Sequence, residues 1–160
     1  MEPSNKVRGI AHDFDVAKIT VRQVPDRPGI AAAIFGPLAD AHISVDTIVQ
    51  NSSLENLTDL TFTVAQNDLP HALEIARPLA TEIGAGDLAS DDSLGKVSIV
   101  GTGMLNTPGY AALMFRTLAN AGINIQLITT SEIRITCIIA EKDVVPAVRA
   151  LHKAFDLETP

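Results

Sequence analysis

Pro28-Gly-Ile-Ala-Ala-Ala-Ile-Phe-Gly-Pro-Leu-Ala-Asp-Ala-His-Ile43 and Pro108-Gly-Tyr-Ala-Ala-Leu-Met-Phe-Arg-Thr-Leu-Ala-Asn-Ala-Gly-Ile123 are two copies of one phrase. Between positions 28 and 48, ten of 21 residues are identical to those eighty places on; unrelated segments would share roughly one or two, so the chain is internally duplicated. Further along the offset falls to 75, where Thr61 meets Thr136, Val64-Ala65 meets Ile139-Ala140 and Asp68 meets Asp143. The first copy therefore carries five extra residues around Asn51 to Thr58.

Working outward from the phrase, the period of the apolar residues assigns the elements. Lys18-Ile-Thr-Val-Arg22 alternates and predicts a half-buried strand. Pro28 suits the first turn of a helix, and Ile30, Ile34, Leu38 and Ala41 recur on one helical face. Ile43, Val45 and the run to Val49 predict a second strand, Leu60 to Val64 a third, and Leu69, Ala72, Leu73 and Ala76 a second helix. The later copy repeats the series: strand 97–100, helix 108–121, strands 123–128 and 133–139, helix 143–155. Pro37 and Pro78 sit inside predicted helices, where each removes a backbone donor; a kink or an end is expected at Pro78, and both helices are kept because the apolar face continues past each proline.

The order β-α-β-β-α is one strand short of the ferredoxin-like pattern. Asp87-Leu-Ala-Ser90 supplies the missing strand of the first copy. The second has none after Phe155, whereas Val7-Arg-Gly-Ile-Ala11 stands unused before the first copy begins. Strand accounting thus predicts an α+β chain of two ferredoxin-like βαββαβ domains. The first, residues 15–91, is nested inside the second, residues 6–12 plus 95–160, whose extra strand comes from the N-terminus.

Composition narrows the chemistry. The chain has 160 residues, 12 Lys+Arg against 19 Asp+Glu, and a net charge of −7. Such a chain lacks the basic surface that nucleic acid requires, and five Phe, one Tyr and no Trp are too few to stack bases. No apolar run reaches the ~20 residues that span a bilayer, and Met1-Glu-Pro-Ser-Asn-Lys6 lacks the apolar stretch of a signal peptide, so a soluble cytoplasmic protein without a membrane or nucleic-acid partner is expected. The single cysteine, Cys137, excludes an intrachain disulfide and a multi-thiolate metal site, and in an alternating strand it reads as a small buried hydrophobe. His12, His42, His71 and His152 have no metal-ligand spacing, so no metal is expected. Gly101-Thr-Gly103 has Asn106 where a dinucleotide fingerprint needs its third glycine, Gly95-Lys96 opens no phosphate loop, and Asp91-Asp92 reads as a solvated turn. No catalytic group and no cofactor emerge.

What remains is the doubled turn, Val24-Pro-Asp-Arg-Pro-Gly29 and Met104-Leu-Asn-Thr-Pro-Gly109. A helix start offers free N–H groups and the positive end of the helix dipole, a seat for a carboxylate. Asp26 beside it could accept an ammonium, so a free amino acid would match both charges. Spacing alone leaves this reading open beside the ordinary one, in which Pro-Gly starts a helix and Asp26 caps it.

The strand followed by Asp26-Arg-Pro-Gly29, the helix ending Leu38-Ala-Asp-Ala41, and Ile43-Ser-Val-Asp-Thr-Ile-Val-Gln-Asn51 resemble the ACT domain, an amino-acid-sensing module. With Thr58-Asp-Leu-Thr-Phe62, Gly95-Lys-Val-Ser-Ile-Val-Gly-Thr-Gly-Met104 and Thr130-Ser-Glu-Ile-Arg-Ile135, nearly the whole chain resembles the regulatory region of aspartate kinase, as a separate subunit or as part of a longer enzyme. The resemblance implies a homodimer through its ACT domains, a catalytic aspartate kinase subunit or domain as partner, and threonine and/or lysine as allosteric ligand. It further implies that Asp26, Gly29, Ile30 and Ala31 line the helix-start part of an effector pocket, that Gln50 and Asn51 present amides to the ligand, and that Asn124 and Ile125 close the pocket across an ACT–ACT interface. Asn106 stands where the first copy has Asp26, so Asn106, Gly109, Ser131 and Glu132 form a weaker second site. The alternative is an effector-blind assembly module that holds catalytic subunits together.

Overall fold

The computed structural model describes residues 6–52 and 55–157. They fold into two units, one within residues 16–93 and one that joins residues 6–15 with 94–157, so the first is inserted between the two segments of the second.

In the inserted unit, β1 (Val7–Pro25) contributes its second half, followed by α1 (Ile30–Asp40), β2 (Ile48–Ser52), β3 (Leu57–Val64), a 3-10 turn at Gln66–Asp68, α2 (Leu69–Glu82) and the first half of β4 (Leu88–Gly101). The sheet order is β2-β3-β1-β4, with β3 antiparallel to both β1 and β2. Ala17, Ile19, Val21 and Val24 of β1 and Leu60, Phe62 and Val64 of β3 bury against Ile30, Ile34 and Leu38 of α1 and Leu69, Ala72 and Ala80 of α2. In the other unit, α3 (Tyr110–Asn120), β5 (Ile125–Thr130), β6 (Arg134–Ala140) and α4 (Val144–Ala154) follow β4, and the order is β1-β4-β6-β5. Val97, Ile99, Ile135, Cys137 and Ile139 bury against Met114 and Leu118 of α3 and Val144, Ala147 and Leu151 of α4. Each unit is a four-stranded antiparallel sheet with two helices, in the ferredoxin-like strand order.

Several boundaries differ from the sequence reading. The strands expected at 7–11 and 18–22 are one strand of 19 residues, and those expected at 87–90 and 97–100 are one of 14. Phe14 and Val16 keep β-favouring side chains across the first gap. In the second gap Asp91-Asp92 lies within β4 and not in a turn. The second strand begins at Ile48 and not Ile43: Asp46 and Thr47 share one partner, Thr63, with the Asp46 N–H on its carbonyl (3.1 Å), its N–H on the Thr47 carbonyl (3.0 Å) and the Thr47 N–H on its hydroxyl (3.0 Å), and the ladder proper starts at Ile48 opposite Phe62. Likewise β5 begins two residues late, at Ile125. Both helices do run on past their prolines, as the continuing apolar face requires; α1 reaches Asp40 and α2 Glu82. Helix α1 starts at Ile30 and α3 at Tyr110, so Pro28 and Pro108 precede their helices. Gly29 (φ 88°) and Gly109 (φ 104°) hold the left-handed conformation at the two N-caps, which only glycine adopts cheaply.

Candidate functional site

Because β1 and β2 both run antiparallel to β3, their carboxyl ends lie at the same end of the inserted unit's sheet. The chain leaves β1 there through Asp26-Arg27-Pro28 and enters α1 at Gly29, while Gln50 and Asn51 lie near the close of β2. The structure thereby brings Asp26, Gly29, Ile30, Ala31, Gln50 and Asn51 to one end of one sheet. Asp26, Gly29, Ala31, Gln50 and Asn51 are exposed, whereas the Ile30 side chain is in the core and can offer a ligand only its backbone. The first helical bond runs from Ala33 N–H to the Gly29 carbonyl (3.0 Å), so the N–H groups of Ala31 and Ala32 have no acceptor within the helix. Gln50 pairs with core-facing Leu60 and Asn51 with exposed Asp59, so the Gln50 amide lies on the helix-bearing face and Asn51 on the other. The helix-side groups present N–H donors and a dipole for a carboxylate, a carboxylate for an ammonium, and one amide.

Hydrogen bonds fix the turn. Asp26 donates its N–H to the Asn56 carbonyl (2.8 Å), tying the β1–α1 turn to the β2–β3 connection, and the Thr58 hydroxyl donates to the Asn51 carbonyl. Just before the turn, β1 carries a bulge: Val21 lies opposite Leu60 and Val24 opposite Thr58. Within it Gln23 has φ 53°, and its N–H donates to Asp59 Oδ1 (3.1 Å). On the other side Gly86 donates its N–H to the Arg22 carbonyl (2.7 Å) and Arg22 its N–H to the Asp87 carbonyl (3.0 Å). A Cβ at Gly86 would lie 2.9 Å from Gln23 Oε1, so glycine is what lets the bulge approach. Asn56, Gly86 and the bulge all lie outside the sequence reading; the break in alternation between Val21 and Val24 is the signal that could have marked the bulge.

The second copy's turn is built otherwise. Seven residues, 102–108, separate β4 from Gly109, against three between β1 and Gly29. A 3-10 turn, Met104–Asn106, folds Met104 into the core and leaves Asn106 exposed. An open cleft of about 250 Å³ lies at the start of α3, lined by Thr107, Pro108, Gly109, Tyr110 and Leu113. Ser131 and Glu132 follow β5 at this same end of the unit; Ser131 is occupied by its hairpin, its hydroxyl accepting the Arg134 N–H (3.1 Å) and its N–H donating to the Arg134 carbonyl (2.8 Å). Asn124 and Ile125 open β5, at the opposite end of the unit from Gly109. Gly101 packs directly on the Lys6 backbone, where a Cβ would fall 2.0 Å from the carbonyl oxygen; that approach accounts for this glycine without a phosphate ligand.

The remaining candidates are structural. Cys137 is fully buried, and burial pushes its thiol up to about 12. Among the described residues no group of three or more His, Cys, Asp or Glu is placed to hold a metal ion, and no helix is long and apolar enough to cross a membrane.

The ACT domain family matches this chain twice, over residues 18–80 and, in a second form, over residues 97–155. An aspartokinase of Pseudomonas aeruginosa is 51% identical over 154 residues, which are 96% of this chain and 37% of that protein. Among solved structures, an aspartokinase with alpha and beta subunits is 50% identical with a TM-score of 0.86, over 94% of this chain and 99% of that one. The regulatory subunit of aspartate kinase from Thermus thermophilus, in a ligand-free form, is 41% identical with the same TM-score and coverage. The chain belongs to the aspartate kinase family, as a regulatory part made of two ACT domains. It spans 37% of the length of the curated relatives it matches.

Proposed function

We propose that this chain is the feedback sensor of an aspartate kinase, and that it binds threonine and/or lysine at interfaces between ACT domains of two copies. The observation that carries the reading is that the Asp26 carboxylate, the open first turn of α1 and the Gln50 amide lie at one end of one sheet, Gln50 on the face that bears the helices. An α-carboxylate takes the helix-start N–H groups, Asp26 takes the ammonium, and the Gln50 amide reads the side chain. Asn124 and Ile125 of a second copy cover the ligand. A ligand held by both copies favours one relative arrangement of their ACT domains, and that preference reaches the catalytic subunit or domain as a coupling of about 1–3 kcal/mol, which restrains aspartate phosphorylation. Support for the setting comes from the likeness to the Thermus thermophilus regulatory subunit along 99% of its length. The second turn, with Asn106, Gly109, Ser131 and Glu132, is the weaker site, because its ammonium partner is neutral and its loop is filled by Met104.

A second reading rests on Ile48 and Ile128, 52% and 46% exposed on strands β2 and β5. Apolar side chains on outlying strands suit pairing between copies, as in an assembly module blind to effectors. Calorimetric titration of the chain with threonine and with lysine decides between them. Saturable heat, weakened by about tenfold in Asp26→Asn, supports the sensor; silence toward both amino acids in dimeric protein overturns it in favour of assembly.

A further inference from the structure

Residues Ala17, Ile19 and Val21 of β1 face the core at odd positions, and the next buried residue is Val24. An uninterrupted strand would turn Val24 outward, because side chains alternate with a period of two. The bulge at Arg22-Gln23 inserts one residue and reverses the parity, so that Val24 is fully buried and the chain leaves the sheet on its helix-bearing face. That exit is what delivers Asp26 toward the start of α1. The bulge is not free: Gln23 holds φ 53°, a left-handed conformation that is strained for a non-glycine residue.

The duplication provides an internal control. In the second unit β4 pairs with β6 without a break, from Leu94 opposite Ala140 to Val100 opposite Arg134, so Val97 and Ile99 keep one parity toward the core and no bulge intervenes. Asp59 of the first copy corresponds to Arg134 of the second at the offset of 75, and Arg134 has no carboxylate to offer a bulged N–H. The copy with the carboxylate has the bulge and the short Asp26 turn; the copy without it has neither.

We infer that Asp59 is a positioning residue of the effector seat: by accepting the Gln23 N–H it pins the bulge that sets where Asp26 and the first turn of α1 lie. It acts through the backbone and touches no ligand. Gly86 and the Arg22–Asp87 contacts (the ion pair at 3.2 Å included) clasp the bulge from the other side. The inference rests on the reading of this turn as the effector seat, and the test separates the two.

Amide exchange and calorimetry are measured on the whole chain, on Asp59→Ala, and on Asp59→Asn, whose amide oxygen can still accept the bond. In Asp59→Ala, exchange at Gln23 and at Asp26, whose N–H is bonded to Asn56, is expected to rise about five- to tenfold relative to the Ile19 and Val21 amides of the same strand. Threonine or lysine binding should weaken by a similar factor, and Asp59→Asn should restore both to within about twofold. A general loss of stability would raise exchange along the whole strand and is thereby distinguished. The inference is overturned if Asp59→Ala leaves Gln23 and Asp26 unchanged, if only Gln23 responds, or if Asp59→Asn behaves like Asp59→Ala. If the parent chain binds neither amino acid, the sensor reading fails, while exchange at Asp26 still decides whether Asp59 positions the turn.

Discussion

Strand β1 breaks its alternation between Val21 and Val24 and enters α1 after three intervening residues before Gly29; β4 keeps its alternation to Gly101 and spends seven, folding Met104 inward on the way. Both routes end on a left-handed glycine followed by an 11-residue helix with the same apolar spacing. The hydroxyl pairs make the difference in phase visible: Thr20 faces Thr61 (2.9 Å) and Ser98 faces Thr136 (2.6 Å). The first strands therefore correspond at an offset of 78, whereas the helices correspond at 80. Duplication has preserved what packs the core and altered what shapes the turn, which is the division expected when the turns carry function and the helices carry stability.

The largest test of that division is in the cores. Leu38 and Leu118 occupy the same place in α1 and α3, and both are fully buried. Leu38→Ala and Leu118→Ala should each cost about 2–5 kcal/mol in denaturant unfolding, by lost burial and a residual cavity. Similar costs support equivalent cores; a cost near zero at one site breaks the equivalence.

Next come the glycines, which separate packing from conformation. Gly101→Ala would drive a Cβ to 2.0 Å from the Lys6 carbonyl, a backbone atom that cannot step aside, and should cost about 1–3 kcal/mol or more. At Gly29 no atom lies within 4 Å of the added Cβ, so Gly29→Ala costs only the left-handed strain, about 1 kcal/mol. Urea midpoints should place Gly101→Ala well below Gly29→Ala, and effector titration should reverse that order, since Gly29 lies at the proposed seat.

The repeat, the α+β class and the borrowed N-terminal strand could be read from the chain because they depend on period and counting, which the apolar residues record directly. The fused strands could not: the polar run His12 to Asp15 and the pair Asp91-Asp92 look like breaks, yet backbone pairing carries β1 and β4 straight through them. The late start of β2 was hidden because it depends on Asp46 and Thr47 sharing one partner, Thr63, through backbone and hydroxyl bonds. At the proposed seat, the doubled Pro-Gly turn is the signal that singles out Asp26 and Gly29. Asn56 and Gly86 were not legible, since each acts through its backbone and sequence carries no sign of a carbonyl's partner. The resemblance has Ile30 line the pocket; its side chain lies on the buried stripe of α1, where periodicity places it, so it could do so only through its backbone.

A smaller effect is expected from remaking the second turn in the image of the first. If the charge at this position were all that distinguishes the two seats, Asn106→Asp would create a second effector site. The longer loop, with Met104 buried beneath it, predicts that it does not. Calorimetry of Asn106→Asp should return the stoichiometry of the parent chain, and an added binding event would show that the turn's length is immaterial.

The smallest expected effect lies where the long strands pass from one unit to the other. Each carries the same local device there: Asp13 Oδ1 accepts the Asp15 N–H (2.9 Å), and Asp91 Oδ1 accepts the Ser93 N–H (2.8 Å). Asp91 also takes the Ser93 hydroxyl (2.7 Å), and that bond, then the backbone one, then the more distant Lys18 charge hold its carboxyl below the ordinary 3.8 against a small opposing cost of burial. A carboxyl with a depressed folded value binds its proton more weakly than in the unfolded chain. It therefore adds stability above the unfolded value, and that stability is lost as pH falls through the folded one. Asp91→Asn keeps an acceptor for Ser93 and removes only the charge, so its deficit relative to the parent should be present near neutrality and shrink as the pH drops below 3.8. Because the carboxylate is largely solvated, the deficit should be a small shift in the denaturant midpoint. A deficit that persists unchanged in acid would mean that shape, and not charge, is what Asp91 supplies to the strand.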